Sequence, residues 1–150
     1  MISFKTKKDK LIKLLLDVDT GIDDALALFY LAHAQKKGEI EILGSTTVGG
    51  NVEVGQTTLN TLKIWEMLDL DIPVASGAKQ PLMVPLNPAP FVHGDDGLGN
   101  TFLPEPKKLP SQESAAEMIL RLSHEYAGEL TLLTTAPLTN IAVALLQDPS

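Results

Sequence analysis

The chain has 150 residues, 44% of them hydrophobic and 21% charged, which suffices for one domain with a core and is too apolar for a disordered chain. A formal net charge of -7 argues against a nucleic-acid backbone or an anionic membrane as the main partner and suits a soluble enzyme or a site that recruits a cation. The absence of cysteine excludes disulfides, thiolate metal sites and cysteine nucleophiles, and no run approaches the roughly 20 apolar residues of a membrane-spanning helix.

The N-terminal MISFKTKKDK is basic, but the apolar stretch behind it is too short for a signal-peptide core and ends in aspartates. A cytoplasmic location is therefore expected. LIKLLLD (11–17) is a nearly continuous aliphatic run, as in a strand buried on both faces. Residues 23–37 predict a helix with acids at its start, lysines at its end and Gly38 as the stop. A second strand follows at 40–48. A helix is expected over about 54–68, where Leu59, Leu62 and Trp65 share one face. IPVAS (72–76) predicts a short third strand. SQESAAEMILRLSHEYAG (111–128) predicts a helix with its first serine, Ser111, as N-cap and a glycine at its end. LTLLTT (130–135) is the fourth strand and LTNIAVALLQ (138–147) the last helix.

The order β-α-β-α-β-loop-α-β-α predicts an α/β domain, a Rossmann-like, mostly parallel sheet flanked by helices. Residues 77–110 interrupt the pattern and hold seven of the ten prolines. A connection that long, carrying Phe91, His93, Asp95 and Asp96 in its middle, is expected to be an active-site lid.

In open parallel sheets, ligands bind at the carboxyl ends of the strands. The polar clusters fall there: DVDTGIDDA (17–25) after the first strand, TTVGGN after the second and TTAPLTN after the fourth. Asp23 and Asp24 suit the first turn of a helix, where the dipole favours negative charge. Capping leaves Asp17 and Asp19 unexplained. Carboxylates crowded in a partly buried cleft take up protons unless a cation compensates them. A hard divalent ion does so, calcium accepting six to eight oxygen ligands and magnesium fewer from protein. A metal site is expected.

DVDTGIDDALAL, followed by STTVGGN, HGDDGLGN and LLTTAPLTNIA, resembles the first half of the calcium-dependent nucleoside hydrolases, the inosine–uridine-preferring group. The likeness runs from about residue 13 to 146, and four motifs in order are far more specific than any one. It implies the nucleoside hydrolase fold and hydrolysis of the N-glycosidic bond of ribonucleosides, giving a free base and ribose, by a calcium-activated water. Asp19 and Asp24 would ligate Ca2+, with the backbone carbonyl of Thr135, and Asp19 would also accept a proton from that water. Asp23 and Asn51 would hold the ribose hydroxyls, His93 would lie near the nucleoside, and Asp17 would support the loop. The resemblance further implies a homo-oligomer, dimer or tetramer, working in purine or pyrimidine salvage.

Two departures stand out. Thr20 occupies a position where many members carry proline. Members are also roughly twice this length, and their second half supplies another calcium-ligating aspartate, further ribose contacts and, in several, a histidine that protonates the leaving base. The resemblance thus makes residues 1–150 the N-terminal part of a single domain, expected to bind calcium weakly and turn over little alone.

Two rivals compete. Haloacid-dehalogenase-type magnesium phosphatases also place Asp-x-Asp after a buried strand, and DVD fits. However, Gly21 stands where they carry threonine or valine, and no lysine is placed for the phosphate. The other rival is a non-catalytic calcium- or ribose-binding domain, or an inactive paralogue. Elsewhere, His33 reads as a packed or helix-surface residue, His124 as exposed and Trp65 as core or a subunit contact. Asp95 and Asp96 read as residues that order the lid, aspartate before glycine being common turn chemistry.

Overall fold

The computed structural model describes residues 11–150; the basic stretch read as lacking an export signal lies outside the described residues. Strand β1 (Ile12–Val18) and strand β2 (Ile40–Thr47) bracket helix α1 (Ile22–Lys36). Helix α2 (Val54–Met67), strand β3 (Val74–Ser76) and a four-residue helix α3 (Pro90–His93) follow. Helix α4 (Ala115–Glu125), strand β4 (Leu130–Thr134) and helix α5 (Thr139–Gln147) complete the order. All pairings are parallel, in the order β3-β2-β1-β4. The α/β architecture is as expected from the alternation, with β1 inside the sheet and its carboxyl end at the middle of the rim.

Alternation along β1 decides which helices meet which residues. Leu14, Leu16 and Val18 join Ala25, Leu28 and Ala32 of α1 and Leu62, Ile64 and Trp65 of α2 in one apolar layer. Leu15 faces the other way, onto Met118, Ile119 and Leu122 of α4 and Ala144 of α5. Asp17 shares the parity of Leu15 and so turns toward α5. Trp65 belongs to the core and its indole N–H donates to Ser45 Oγ at 3.0 Å. His33 and His124 are exposed, and His124 lies 3.1 Å from Asp148.

Two expectations need correction. The N-cap of α4 is Ser114, not Ser111. Ser114 Oγ accepts the Glu117 N–H and Glu117 accepts the Ser114 N–H, a complete capping box. The Ser111 N–H instead donates to Val74 O, tying the segment before the helix to β3. The proline-rich segment is also not a free flap. Ala78 N–H donates to Asn140 Oδ1, Ala89 N–H to Asn51 O and Lys107 N–H to Glu66 Oε2. Lys63 pairs with Glu105 at 2.8 Å. At its tip Met83 is 92% exposed.

Strand β4 forms an edge, and Leu132 and Leu133 remain 36% and 38% exposed, unusual in a parallel sheet, whose strands are normally covered on both faces. Among the described residues no helix is long and apolar enough to cross a membrane.

Leu28 is fully buried between the sheet and α2. Leu28→Ala should lower unfolding stability by about 2–5 kcal/mol, read from denaturant midpoints; a loss under about 1 kcal/mol would show that the layer collapses around the gap.

Candidate active site

The acids predicted at the end of β1 separate into a buried set and an exposed one. Asp17, Asp19 and Asp24 are 0%, 5% and 3% exposed. Asp23, one residue from Asp24, turns outward with its side chain 78% exposed. The helical turn explains the split, since adjacent residues lie about 100° apart around α1.

Each buried carboxylate has its own donors. Asp17 Oδ1 accepts Thr46 Oγ1 at 2.7 Å and Asn140 Nδ2 at 2.8 Å. Asp19 Oδ2 accepts the Asn51 N–H at 2.8 Å, and the Asn51 amide donates back to Asp19 O at 3.3 Å. Asp24 Oδ1 accepts Thr135 Oγ1 at 2.6 Å. Two oxygens are left over: Asp17 Oδ2 and Asp24 Oδ2 are buried without a hydrogen-bond partner. Orphaned carboxylate oxygens are costly, because desolvation is uncompensated.

The titration behaviour follows. Burial pushes Asp17 above the usual carboxylate range against the Thr46 and Asn140 hydrogen bonds. Burial also raises Asp19, against the Asn51 N–H. Asp24 is pushed up to about 6, first by burial and then by the neighbouring charges of Asp19 and Asp23, with the Thr135 hydroxyl opposing. Asp19 and Asp24 are therefore two carboxylates sharing one cramped space, a site that favours either a proton or a cation.

Close backbone approach makes that space. A Cβ on Gly50 would lie 2.0 Å from Asp19 Oδ2, and one on Gly21 would lie 2.5 Å from His93 Nδ1 and 2.8 Å from the Asn51 amide nitrogen. Glycine is required at both positions by contact. His93 is buried at the carboxyl rim and its Nδ1 accepts the Ile22 N–H at 3.2 Å, so an imidazole satisfies a free donor of the first turn of α1. Its Nδ1 also lies 3.8 Å from Asp23. With Nδ1 accepting, the ring proton sits on Nε2.

The structure thus brings Asp17, Asp19, Asp24, Asn51, His93 and Thr135 together, with Asp23 on the solvent side of His93. Among the described residues, no three His, Cys, Asp or Glu side chains converge as a metal cluster. The chain's own side chains supply a carboxylate pair, and any hard cation there needs further oxygens from carbonyls, solvent or other groups. Asp96 is not available. Its carboxylate accepts the N–H groups of Leu98, Asn100 and Phe102 at 2.8–2.9 Å; slight burial opposes, but these bonds hold it below the usual range.

Sequence reading missed Asn140, whose Nδ2 donates to Asp17 and to Thr47 O at 2.9 Å and whose Oδ1 accepts the Ala78 N–H. The one available signal was a polar residue in the first turn of an otherwise apolar helix. Asn60 and the close-packed Gly50 were missed likewise.

Comparison with known proteins decides the family. The model described as "Inosine-uridine preferring nucleoside hydrolase" matches residues 14–150. The chain belongs to this family. It is 45% identical over 141 residues to uridine nucleosidase 1 of Arabidopsis thaliana, covering 92% of this chain and 41% of that one. Among solved structures it superposes on a plant nucleoside hydrolase, the PpNRh1 enzyme, with a TM-score of 0.87 and 36% identity, covering 93% of this chain and 44% of the other. A purine-preferring ribonucleoside hydrolase from Gardnerella vaginalis gives a TM-score of 0.83 at 34% identity, covering 91% and 44%. The chain spans less than half the length of the relatives it matches.

Gly50→Ala should displace the Asp19 carboxylate from the Asn51 N–H. Loss of that hydrogen bond should accelerate native-state exchange of the Asn51 amide by about tenfold, and unchanged exchange would show that Asp19 tolerates the displacement.

Proposed function

We propose that the protein carrying this chain hydrolyses the N-glycosidic bond of ribonucleosides with a calcium-activated water, and that this stretch supplies part of the site. The observation that carries the reading is the buried Asp19–Asp24 pair, with Asp24 Oδ2 unpartnered, beside Asn51 and His93 at the carboxyl rim of a parallel sheet. The family membership supports it.

The residues fit a hard cation. The donor set is all oxygen, two carboxylates are held out of water, and one buried oxygen has no partner. Asp19, Asp24 and the Thr135 carbonyl would hold calcium, which when bound supplies positive charge that orients a water and lowers its pKa. Asp17 braces the strand end through Thr46 and Asn140. Asp19 Oδ2 is anchored by the Asn51 N–H, which leaves Oδ1 to take a proton from the attacking water. Glycoside cleavage passes through an oxocarbenium-like state, and carboxylates fixed at the rim stabilise the positive charge that develops on the sugar. Asn51 and the exposed Asp23 would meet ribose hydroxyls. A deoxyribose would leave such groups without partners. His93, with its proton on Nε2, offers a donor toward the nucleoside.

The remaining ligands and the acid for the leaving base belong, in this proposal, to a second half of the same α/β domain; the exposed flank of β4 offers that half a place to pack. Two relatives sharing this half carry different base names in their descriptions, uridine and purine, so base choice is assigned to residues outside the shared motifs. A cytoplasmic dimer or tetramer acting in nucleoside salvage completes the proposal, with Leu26, Tyr30 and Phe102 among the exposed apolar residues open to subunit contact.

Ribosidase assays with calcium test the reading. Asp19→Ala should lower kcat by about 10²–10⁴-fold, the usual contribution of a positioned base. Asn51→Ala should chiefly raise KM for ribonucleosides and narrow the preference for ribose over deoxyribose. Near-normal turnover in Asp19→Ala would contradict the assignment, and calcium uptake without turnover in the parent would favour the non-catalytic alternative.

A second test does not depend on turnover. Asp24→Asn removes a buried charge that has an unpartnered oxygen, so the chelator-treated variant should melt higher than the chelator-treated parent. It should also lose most of the rise in Tm that calcium gives the parent. An equal calcium-induced rise in both would remove Asp24 from the ligand set.

A further inference from the structure

Asn60, on α2, is 1% exposed and points at neither the carboxylates nor the core. Its Nδ2 donates to Thr20 O at 3.1 Å and to Asp96 O at 2.8 Å, while Oδ1 accepts Gln56 Nε2 at 2.9 Å. Two carbonyls face the nitrogen and an amide N–H faces the oxygen, so the orientation of the group is fixed by its partners. Those carbonyls belong to the two loops that frame the site. Thr20 lies between Asp19 and Gly21, and its own hydroxyl meets Thr61 Oγ1 at 2.7 Å, one residue along the same helix. Asp96 is the centre of the 93–102 loop and gathers three of its N–H groups onto one carboxylate. That makes the loop a rigid unit, held internally also by the Gly99 N–H on His93 O at 2.7 Å. The Ile22 N–H on His93 Nδ1 and the approach of that nitrogen to Asp23 at 3.8 Å also link the two sides.

We propose that Asn60 is a positioning residue: by hydrogen-bonding both backbones at once, it locks the Asp19-bearing turn to the 93–102 loop and so sets the distance from the carboxylate pair to His93. What that distance serves rests on the nucleoside-hydrolase reading; the lock itself rests on geometry alone. Apart from the Gln56 contact one turn back on its own helix, the Asn60 side chain directs its hydrogen bonds to these two loops. Its two donors hold the loops in register, and both carbonyls would otherwise be left partly buried with weaker partners. The consequence is a division of the proline-rich segment. Its tip around Met83 stands exposed, whereas 93–102 is tied to the turn that carries Asp19.

Asn60→Asp tests this in the native polypeptide. The variant keeps the shape of the side chain but turns an acceptor toward two carbonyl oxygens. Native-state hydrogen exchange should show the amides of Ile22 and of residues 97–102 accelerating together by about tenfold or more, the scale of one lost hydrogen bond. Calcium should bind about tenfold more weakly by calorimetry, and nucleoside KM should rise by a similar factor, with kcat at saturating calcium and substrate within about threefold. A residue that merely stabilised the fold would leave this split between KM and kcat unmoved. Gln56→Met, which removes only the contact orienting the Asn60 amide, should give the same pattern at about threefold and decides the matter if Asn60→Asp does not fold. Acceleration in neither segment, or in one without the other, overturns the lock. If the parent lacks calcium-dependent ribosidase activity the functional reading fails, and the exchange result still judges the lock.

Discussion

Removal of carboxylates from water at the end of β1 is the constraint around which the rest is arranged. Asp17, Asp19 and Asp24 are all buried, and an ionised carboxylate in such surroundings costs several kcal/mol unless donors or a cation compensate it. Donors compensate only in part. Thr46 and Asn140 serve Asp17, the Asn51 N–H serves Asp19 and the Thr135 hydroxyl serves Asp24. The oxygens left unpartnered on Asp17 and Asp24 are the residue of that incomplete compensation. A packed core tolerates such groups poorly, and under the proposed reading a cation would compensate them.

The surrounding fold holds these acids apart from bulk solvent while keeping their spacing fixed. The inner position of β1 puts its carboxyl end between the loops after β2 and β4, and the parity of the strand turns Asp17 toward α5, where Asn140 stands. Gly50 and Gly21 let the backbone lie directly against the Asp19 carboxylate and against the His93 and Asn51 side chains. His93 fills the gap above Gly21 and satisfies the first turn of α1. Asn60 ties the resulting turn to the loop opposite. Rigidity here has a chemical use, because a site that stabilises charge is effective only when its dipoles are already oriented.

Much of this was legible in the sequence because it depended on local pattern. The uninterrupted aliphatic run of β1 marked a strand covered on both faces, and the alternation of strands and helices marked a parallel sheet. The crowding of Asp17, Asp19 and Asp24 behind that strand marked a site, since capping accounts for only two of four acids. Long-range contacts were not legible. Ser111 and Ser114 are equivalent as residue types, and only the Glu117 carboxylate returning to the Ser114 N–H decides between them. The 77–110 segment looks unstructured by composition, yet bonds to Asn140, Asn51 and Glu66 dock it against α5, the loop after β2 and α2. Asn60 and Asn140 resemble any polar residue in a helix until their partners, many residues away, are seen. The split between Asp23 and Asp24 needed the helix phase as well as the motif.

The chain belongs to the inosine-uridine preferring nucleoside hydrolase family, and the role proposed for these acids is to hold a hard dication. Calorimetric titration of calcium into the chelator-treated native polypeptide tests it most directly. The account predicts saturable uptake of one ion per chain, competed by other hard divalent cations and accompanied by proton release as Asp24, held near 6, gives up its partial protonation. No saturable heat at millimolar calcium, with the protein folded, would contradict it.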